Sequence, residues 1–335
     1  SPSVNRRFPV QLVKILQCLC VAVALAAAGG CGAGGGTATA LPAGAQTDAP
    51  AGDQVMYVAE AQGDQVSAYR LGSDGLLPAN PFSTLAMDNP RRLKLDQSSG
   101  ILYVAMGDRV ASLALAADGS LPQTPSAFTE PITASQPMEM ELGSGVIYVA
   151  MSGIARVNTY ALDSDGLVDI EPLSASGSSL TNYRTLTQGG GFLYAASRFA
   201  ARIDTYLIGA DGSLPAEPET QAPATLLGMP NDILLDSGIL YACNQSEERI
   251  VAYTVESNGL LPEEPTSKTS SEESYSDLFI DDGRLYATAF NKGRIDLYLL
   301  EADGALPEGP PAAATYFDTT SFPAALALRE GILYV

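Results

Sequence analysis

The most regular feature of the chain is a short, almost entirely apolar segment that ends near a tyrosine and returns at a nearly constant interval. Residues 102–105 are an example, and since such a segment carries no charge, both of its faces are expected to be buried. The tyrosines are 45 to 48 residues apart, which indicates a repeat architecture. They are Tyr57, Tyr103, Tyr148, Tyr194, Tyr241, Tyr286 and Tyr334.

Each repeat adds three further elements to the tyrosine segment. A second segment alternates apolar and polar residues in the pattern V/I-x-x-Y, and it is followed by a tight turn in which Asp or Asn precedes Gly. A Pro- and Ser-rich stretch then predicts an irregular outer strand, and another alternating segment closes the unit. The turn pairs are Asp74-Gly75, Asp118-Gly119, Asp165-Gly166, Asp211-Gly212, Asn258-Gly259 and Asp303-Gly304.

Four strands in a unit of about 46 residues, without helical periodicity, predict one blade of a β-propeller. The expected fold is therefore all-β, a seven-bladed β-propeller of four-stranded antiparallel blades in residues 54–335. This range holds six full repeats and the first strand of a seventh, so the sequence is expected to be truncated before the last blade closes. We expect the complete gene to continue with the missing strands.

The first thirty residues are predicted to be a signal peptide. Arg6, Arg7 and Lys14 precede an apolar run over residues 15–28, which is too short to span a membrane comfortably. The run ends in Ala-Gly-Gly-Cys, similar to a bacterial lipobox in which Cys31 is lipidated; the alternative is an ordinary secretory signal. Residues 31–53 are expected to be a Gly/Ala-rich linker. The predicted location is extracytoplasmic, in the bacterial cell envelope through a lipid anchor or secreted.

Composition excludes several classes of function. The chain has 18 Lys and Arg against 38 Asp and Glu, and loss of the leader would leave 15 against 38, a formal charge of −23. So acidic a protein is not expected to bind nucleic acid. The absence of histidine excludes Ser-His-Asp and Cys-His systems and imidazole metal sites.

No cofactor and no metal site is predicted. The carboxylates of the turns lie one per blade, whereas a calcium site gathers six to eight oxygens in one place. Cys243 lies on an inner tyrosine segment and is interpreted as a buried apolar residue. The predicted protein is a monomer that touches the membrane only through its anchor.

The closing strands supply the candidate site. Aligned on their hydrophobic pattern, they begin with charged residues of both signs, and the symmetry of a propeller would gather these around the mouth of the central channel. The residues at this position are Arg92, Glu139, Arg184, Asp232, Asp277 and Ala325, preceded by Arg91, Met138, Tyr183, Asn231, Ser276 and Ala324. The loops after the tyrosine segments could add Arg198, Asn244, Gln245, Asn291 and Lys292. An equally supported interpretation is a network of ion pairs that joins the blades without any ligand.

The repeat unit resembles the lactonase-type seven-bladed propeller family, which includes 6-phosphogluconolactonase-like proteins with YVTN-like repeats. The resemblance covers residues 54–335, and the segments that carry it are residues 102–105, 157–160 and 211–215. It implies a lactone-hydrolysing site of His, Arg and Glu at the channel mouth. Glu139, Arg184 and Arg92 fall where such a cluster would lie, whereas its His has no counterpart here.

Two functions follow as hypotheses. In the first, the protein binds a small anionic sugar lactone at the channel mouth and would hydrolyse it with Glu139 and Arg184 as catalytic residues. Glu139, or failing it Asp232 or Asp277, would be the general base. The ligand-binding residues would be Arg92, Tyr183, Asn231, Asp232 and Asp277. In the second, the propeller is a non-catalytic surface platform for an envelope protein or a polysaccharide.

Overall fold

A computed structural model gives the architecture of the chain, and it is all-β. The structure describes residues 23–27, 54–72, 76–154, 156–177, 182–222, 228–244, 248–270, 273–289, 292–316, 327–329 and 332–334. These residues form six four-stranded antiparallel sheets and one two-stranded sheet. Within them there is no helix long and apolar enough to cross a membrane.

The blades follow one another along the chain, with each sheet running from its inner to its outer strand in sequence order. Blade 1 consists of β1 (Val23–Ala27), β2 (Gln54–Glu60), β3 (Gln65–Arg70) and β4 (Ser83–Ala86). Blade 2 consists of β5 (Arg92–Asp96), β6 (Ile101–Ala105), β7 (Val110–Ala114) and β8 (Ala127–Phe128). Blade 3 consists of β9 (Gln136–Leu142), β10 (Val146–Ser152), β11 (Arg156–Ala161) and β12 (Ser174–Ser176). Blade 4 consists of β13 (Tyr183–Gly189), β14 (Phe192–Ser197), β15 (Arg202–Leu207) and β16 (Thr220–Ala222). Blade 5 consists of β17 (Pro230–Asp236), β18 (Ile239–Asn244), β19 (Arg249–Thr254) and β20 (Ser267–Lys268). Blade 6 consists of β21 (Leu278–Asp281), β22 (Arg284–Ala289), β23 (Arg294–Leu299) and β24 (Ala313–Tyr316).

The predicted blade count is wrong for this structure, which has six four-stranded blades rather than seven. The reason lies in two strand pairings. β25 (Ala327–Arg329) pairs with β26 (Ile332–Tyr334) in a separate two-stranded sheet. The innermost position of blade 1, beside β2, is taken by β1. Because β1 lies in the segment interpreted as a leader, removal of residues 1–30 would expose the inner edge of β2; the leader itself stays a prediction.

The apolar tyrosine segments are the second strands of the blades, and they form the core. All five residues of β6 are buried, as are the first six residues of β10. A strand buried on both faces packs against the sheets on either side of it. The core is therefore continuous from blade to blade, as the repeat pattern predicts.

The tyrosines also join the blades by a repeated hydrogen bond, which we call the Tyr–Gly clasp. The hydroxyl of a tyrosine in one blade donates to the carbonyl oxygen of the glycine in the Asp-Gly or Asn-Gly turn of the next blade. Among the described residues there are five clasps: Tyr57–Gly119 (2.7 Å), Tyr103–Gly166 (2.6 Å), Tyr148–Gly212 (3.0 Å), Tyr194–Gly259 (2.8 Å) and Tyr241–Gly304 (2.6 Å). The repeated tyrosine and the repeated turn are thus two halves of one contact.

Glycine is required on the acceptor side of the clasp for two reasons. Gly259 has a φ of 81°, a left-handed conformation that L side chains rarely adopt. A Cβ atom at this position would also overlap with the ring of Phe192 in the neighbouring blade. The turn can therefore approach the tyrosine strand closely only because it has no side chain there.

The clasp predicts a measurable contribution to stability. Tyr194→Phe removes one buried donor and leaves the Gly259 carbonyl without it, so the free energy of unfolding should fall by about 1–3 kcal/mol. Tyr286→Phe is the matched control, because among the described residues the Tyr286 hydroxyl has no hydrogen-bond partner. Urea unfolding measures the free energy of unfolding of both variants. Equal decreases in the two would contradict a stabilising role for the Tyr194–Gly259 hydrogen bond.

Candidate functional site

The candidate site lies where the inner strands begin. Inner strands β5, β9, β13, β17 and β21 contact one another in series. The first residues of each inner strand pair with the last residues of the tyrosine strand beside it; Arg92 pairs with Ala105, for example. The loops after the tyrosine strands therefore open on the same face as these first residues, which we call the mouth.

Three consecutive inner strands carry a register shift at the mouth. The extra residue is Met138 in β9, Arg184 in β13 and Asn231 in β17. Bulges of this kind are frequent beside functional sites because they re-aim side chains. The strand pairing also corrects the sequence alignment. Thr185, not Arg184, is equivalent to Glu139 and Asp232, since each of these three pairs with the residue two positions after a tyrosine.

Two ion pairs connect β5 with β9. At the mouth, Arg92 Nε lies 3.4 Å from Glu139 Oε2, with side chains 29% and 27% exposed. One layer deeper, Lys94 Nζ lies 2.6 Å from Glu141 Oε2. Burial, with a smaller contribution from the charge of Glu139, raises the pKa of Glu141. The charges of the second and third blades are therefore largely satisfied by each other.

Asp232 connects three inner strands and has a perturbed carboxylate at the mouth. Its Oδ1 accepts a hydrogen bond from Thr185 Oγ1 at 2.8 Å, and its Oδ2 accepts one from the Leu278 backbone N–H at 3.0 Å. Burial raises its pKa to about 6, and the charge of Glu139 acts in the same direction, against the lowering effect of the two hydrogen bonds. A carboxylate with this pKa is a stronger base than an ordinary aspartate.

Arg184 is the cation of the mouth that lacks a partner. Among the residues that the structure describes, its half-buried guanidinium forms no hydrogen bond and no ion pair. Burial lowers its pKa, and the charges of Arg198 and Arg92 lower it further, whereas Asp232 raises it. Three arginines thus share the mouth with Asp232, in a protein that is strongly acidic.

Two of the remaining sequence-predicted residues have structural partners. Asn231 is 9% exposed, and its Nδ2 donates to the Tyr275 carbonyl at 2.8 Å, which links the fifth and sixth blades. Asp277 is at the mouth, and its carbonyl oxygen accepts from the Thr288 N–H at 3.0 Å. Asp277 continues the ring of half-buried carboxylates, whereas Asn231 mainly bridges the blades.

Tyr183 does not line the mouth. It is fully buried, and its hydroxyl donates to Asp204 and contacts Tyr206 Oη at 2.7 Å. Arg202 Nε, 2.7 Å from Asp204 Oδ1, completes this network. The same arrangement recurs in the sixth blade with Tyr275, Asp296, Tyr298 and Arg294. Its repetition indicates a structural role, and a signal for it is present in the sequence as R-I-D-x-Y in both blades.

The loops of the mouth contribute unevenly. Arg198 lies on the loop after β14, whose backbone is fixed by a hydrogen bond from the Arg198 N–H to the Asn182 carbonyl at 3.2 Å. Asn244 is fully buried and Lys292 is exposed. The other candidate positions lie outside the described residues, and these are Gln245, Asn291, Ala324, Ala325 and the lipidation candidate Cys31.

Two shallow cavities open on the same face, radially outside the ring of charges. They have volumes of about 440 and 550 Å³ and share Gly107 and Asp108. The first is lined by the second blade and the segment that leads into it, and the second lies between the second and third blades. Neither is lined by Arg184 or Asp232. In the described part of the chain, no three His, Cys, Asp or Glu side chains are grouped so that they could hold a metal ion.

Comparison with known proteins adds information on the fold. No family model matches the chain, and no curated protein matches it closely. Among solved structures, a proposed 6-phosphogluconolactonase from Bacteroides uniformis is similar, with a TM-score of 0.64, 18% sequence identity and coverage of 83% of this chain and 90% of that one. The periplasmic gluconolactonase of Pseudomonas aeruginosa is also similar, with a TM-score of 0.63, 16% sequence identity and coverage of 78% of this chain and 84% of that one.

A third similar structure is a proposed 6-phosphogluconolactonase from Bacteroides fragilis, with a TM-score of 0.63, 16% identity and coverage of 82% and 85%. The resemblance to lactonase-type propellers is thus confirmed at the level of the fold. Identities this low carry no residue roles from those proteins to this chain.

The environment of Asp232 predicts a pH dependence of stability. Because its pKa is raised in the folded state, the folded protein binds the proton more tightly than the unfolded chain, and this contribution is lost as the pH rises through about 6. Between pH 5 and 7.5, the wild type should lose roughly 1 kcal/mol of unfolding free energy relative to Asp232→Asn.

Urea unfolding at several pH values measures this difference. Asp236→Asn, at the exposed far end of the same strand, is the matched control. If the unfolding free energies of the wild type and of Asp232→Asn changed in parallel with pH, the expected raised pKa of Asp232 would be contradicted.

Proposed function

We propose that this chain binds and hydrolyses a small anionic sugar lactone at the mouth of the channel. The observation that carries the proposal is the unpaired Arg184 beside Asp232, whose pKa is raised to about 6. An unpaired cation and a carboxylate of increased basicity are the two groups that ester hydrolysis without histidine requires. The lactonase-like fold adds support from analogy alone.

The proposed reaction uses Asp232 as the general base. Asp232 accepts a proton from water while the water oxygen forms a bond to the lactone carbonyl carbon, which gives a tetrahedral oxyanion. Arg184 stabilises the negative charge on this oxygen. The bond from the carbonyl carbon to the ring oxygen then breaks, and the ring oxygen takes the proton back from Asp232, so the product is the open-chain hydroxy acid.

Glu139 receives a different part from the one that sequence alone suggested for it. One of its oxygens faces Arg92 and the other accepts from the Met140 N–H at 3.0 Å. We therefore assign Glu139 a positioning role: it holds Arg92 in place, and its charge contributes to the raised pKa of Asp232. Arg92 and Arg198 would attract the carboxylate or phosphate of the substrate.

Kinetics with aldonolactones and 6-phosphorylated lactones test these roles once the spontaneous rate has been subtracted. In the wild type, kcat/KM should rise with pH and level off above about 6. Asp232→Asn should lower kcat/KM by about 100-fold or more, and Arg184→Ala by about 100-fold. Glu139→Gln should retain activity within about tenfold and move the acidic limb to lower pH, because it removes a neighbouring negative charge.

Arg109→Ala is the matched control, since Arg109 is on the same face but pairs with Asp108. If Glu139→Gln abolished the rate and Asp232→Asn did not, the two carboxylates would have to exchange roles. If the folded wild type hydrolysed none of these lactones, the proposal that the protein is a lactonase would be wrong.

That last result would favour the second candidate, a non-catalytic surface platform for an envelope protein or a polysaccharide. One observation supports it. The Arg92–Glu139 pair and the Thr185–Asp232 hydrogen bond each join neighbouring blades, and both contacts would exist without any ligand.

We further propose that the protein is exported and lipid-anchored through Cys31. The apolar leader and the lipobox-like sequence support this proposal, and the periplasmic location named for one structural neighbour agrees with it. Expressed in a bacterial host, the wild type should be found with membranes and begin at a lipid-modified Cys31 by mass spectrometry. Cys31→Ser should be released, while Cys18→Ser, altered in the leader itself, should behave as the wild type. A product that retains residues 1–30 would contradict both parts.

A further inference from the structure

Phe199 is the most exposed large hydrophobic side chain in the described part of the chain, with 70% of its surface accessible. Three other exposed aromatic rings are each covered by an arginine. The pairs are Phe82 with Arg70 at 4.7 Å, Phe128 with Arg109 at 5.8 Å and Tyr316 with Arg294 at 5.6 Å. Among the described residues, Phe199 has no such ring contact.

Phe199 lies on the same face of the protein as the proposed site. It lies in the short loop between β14 and β15, on the face of the mouth, directly after Arg198. Ser197 Oγ accepts hydrogen bonds from the Asn182 and Ala200 N–H groups, both at 3.3 Å, so the loop is tied to the chain that leads into Arg184. Phe199 is therefore exposed at the rim on a loop that is tied to this part of the chain, and it is next to Arg198 in sequence.

An exposed ring next to a cationic site selects a particular chemistry. The face of an aromatic ring is electronegative and attracts the polarised C–H groups on the face of a sugar ring, while apolar contact removes both surfaces from water. Small-ligand sites commonly combine such a surface with a few charged groups that fix orientation.

We infer that Phe199 is the specificity-determining platform of the mouth: it stacks against a pyranose ring whose anionic group is bound by Arg184 and Arg198. The inference rests on the proposed function and narrows its substrate to six-membered cyclic sugars with a negative charge. Phe199 is not a catalytic residue, because it contacts the face of the sugar and not the reacting carbonyl.

Two stable probes separate stacking from charge. Glucose 6-phosphate presents a pyranose ring and a phosphate, whereas 6-phosphogluconate carries the same phosphate on an open chain. By calorimetry, Phe199→Ala should weaken binding of glucose 6-phosphate about 3- to 10-fold and that of 6-phosphogluconate less than about twofold. Arg184→Ala should weaken both. Leu207→Ala, 48% exposed at the opposite end of the same blade, is the control and should change neither.

The chain contains no tryptophan, so Phe199→Trp introduces a single fluorescent reporter. Its emission should change on addition of glucose 6-phosphate and little on addition of 6-phosphogluconate, and Leu207→Trp should not respond to either probe. This second measurement remains informative if the alanine variant fails to fold.

The outcomes distinguish the two proposals. If Arg184→Ala weakens both probes but Phe199→Ala weakens neither and the emission of the Phe199→Trp variant is unchanged, the anion site stands and the stacking platform is overturned. If Phe199→Ala weakens the binding of both probes equally, the Phe199 ring does not distinguish a cyclic sugar from an open chain, and the inference of a stacking platform is also overturned. If the wild type binds neither probe, the anion site and this inference fall together.

Discussion

The hydrogen bond between a tyrosine hydroxyl and the glycine carbonyl of the next blade is the contact on which the rest of the fold depends. Blades 2 to 5 each supply a donor to one neighbour and an acceptor to the other, so the clasp sets the spacing and orientation of these consecutive sheets. It requires three features together: a tyrosine in a strand buried on both faces, a turn that approaches closely, and a backbone with positive φ at the acceptor. Only glycine meets the last two requirements, since a Cβ atom at Gly259 would overlap with Phe192. The mouth of the channel is positioned by these clasps even though they lie at the opposite ends of the strands.

Much of this architecture could be predicted from the sequence because its signals are local and repeated. The tyrosine segments, the V/I-x-x-Y strands and the Asp-Gly turns each occupy a few consecutive residues. Within the described residues they appear as expected, whereas Asp74-Gly75 lies outside them. The blade count could not be read in the same way, because it depends on which strand covers the inner edge of β2. Pairing between distant segments is decided by the availability of an edge, and β1 supplies it here. No pattern within residues 23–27 distinguishes an inner strand from the apolar part of a leader.

The site was predictable as a ring but not in its details. Alternation gave Arg92, Glu139, Asp232 and Asp277 their places, but it aligned β13 one residue out. In the strand pairing, Arg184 is the extra residue, equivalent to Met138 and Asn231, and Thr185 belongs to the series. A pattern of period two cannot reveal a bulge, because both registers fit the same letters. Tyr183 was misplaced for a different reason: its hydroxyl reaches over the intervening strand to Asp204, a contact between residues 21 positions apart. The paired R-I-D-x-Y segments carry that information only when they are compared between blades.

The bulges also bear on how one ring can contain both a structural network and the proposed reactive site. The residue that follows the extra one is Glu139 in β9, Thr185 in β13 and Asp232 in β17, and these residues pair across blades, Glu139 with Arg92 and Thr185 with Asp232. Arg184 sits on the extra residue and so falls outside this pairing, which leaves its charge to act on whatever enters the mouth. The same contacts that consume the other charges bury Asp232 beside Glu139 and raise its pKa. The unpaired cation and the basic carboxylate therefore have a common origin in the register of two neighbouring strands, and no histidine is needed to create either.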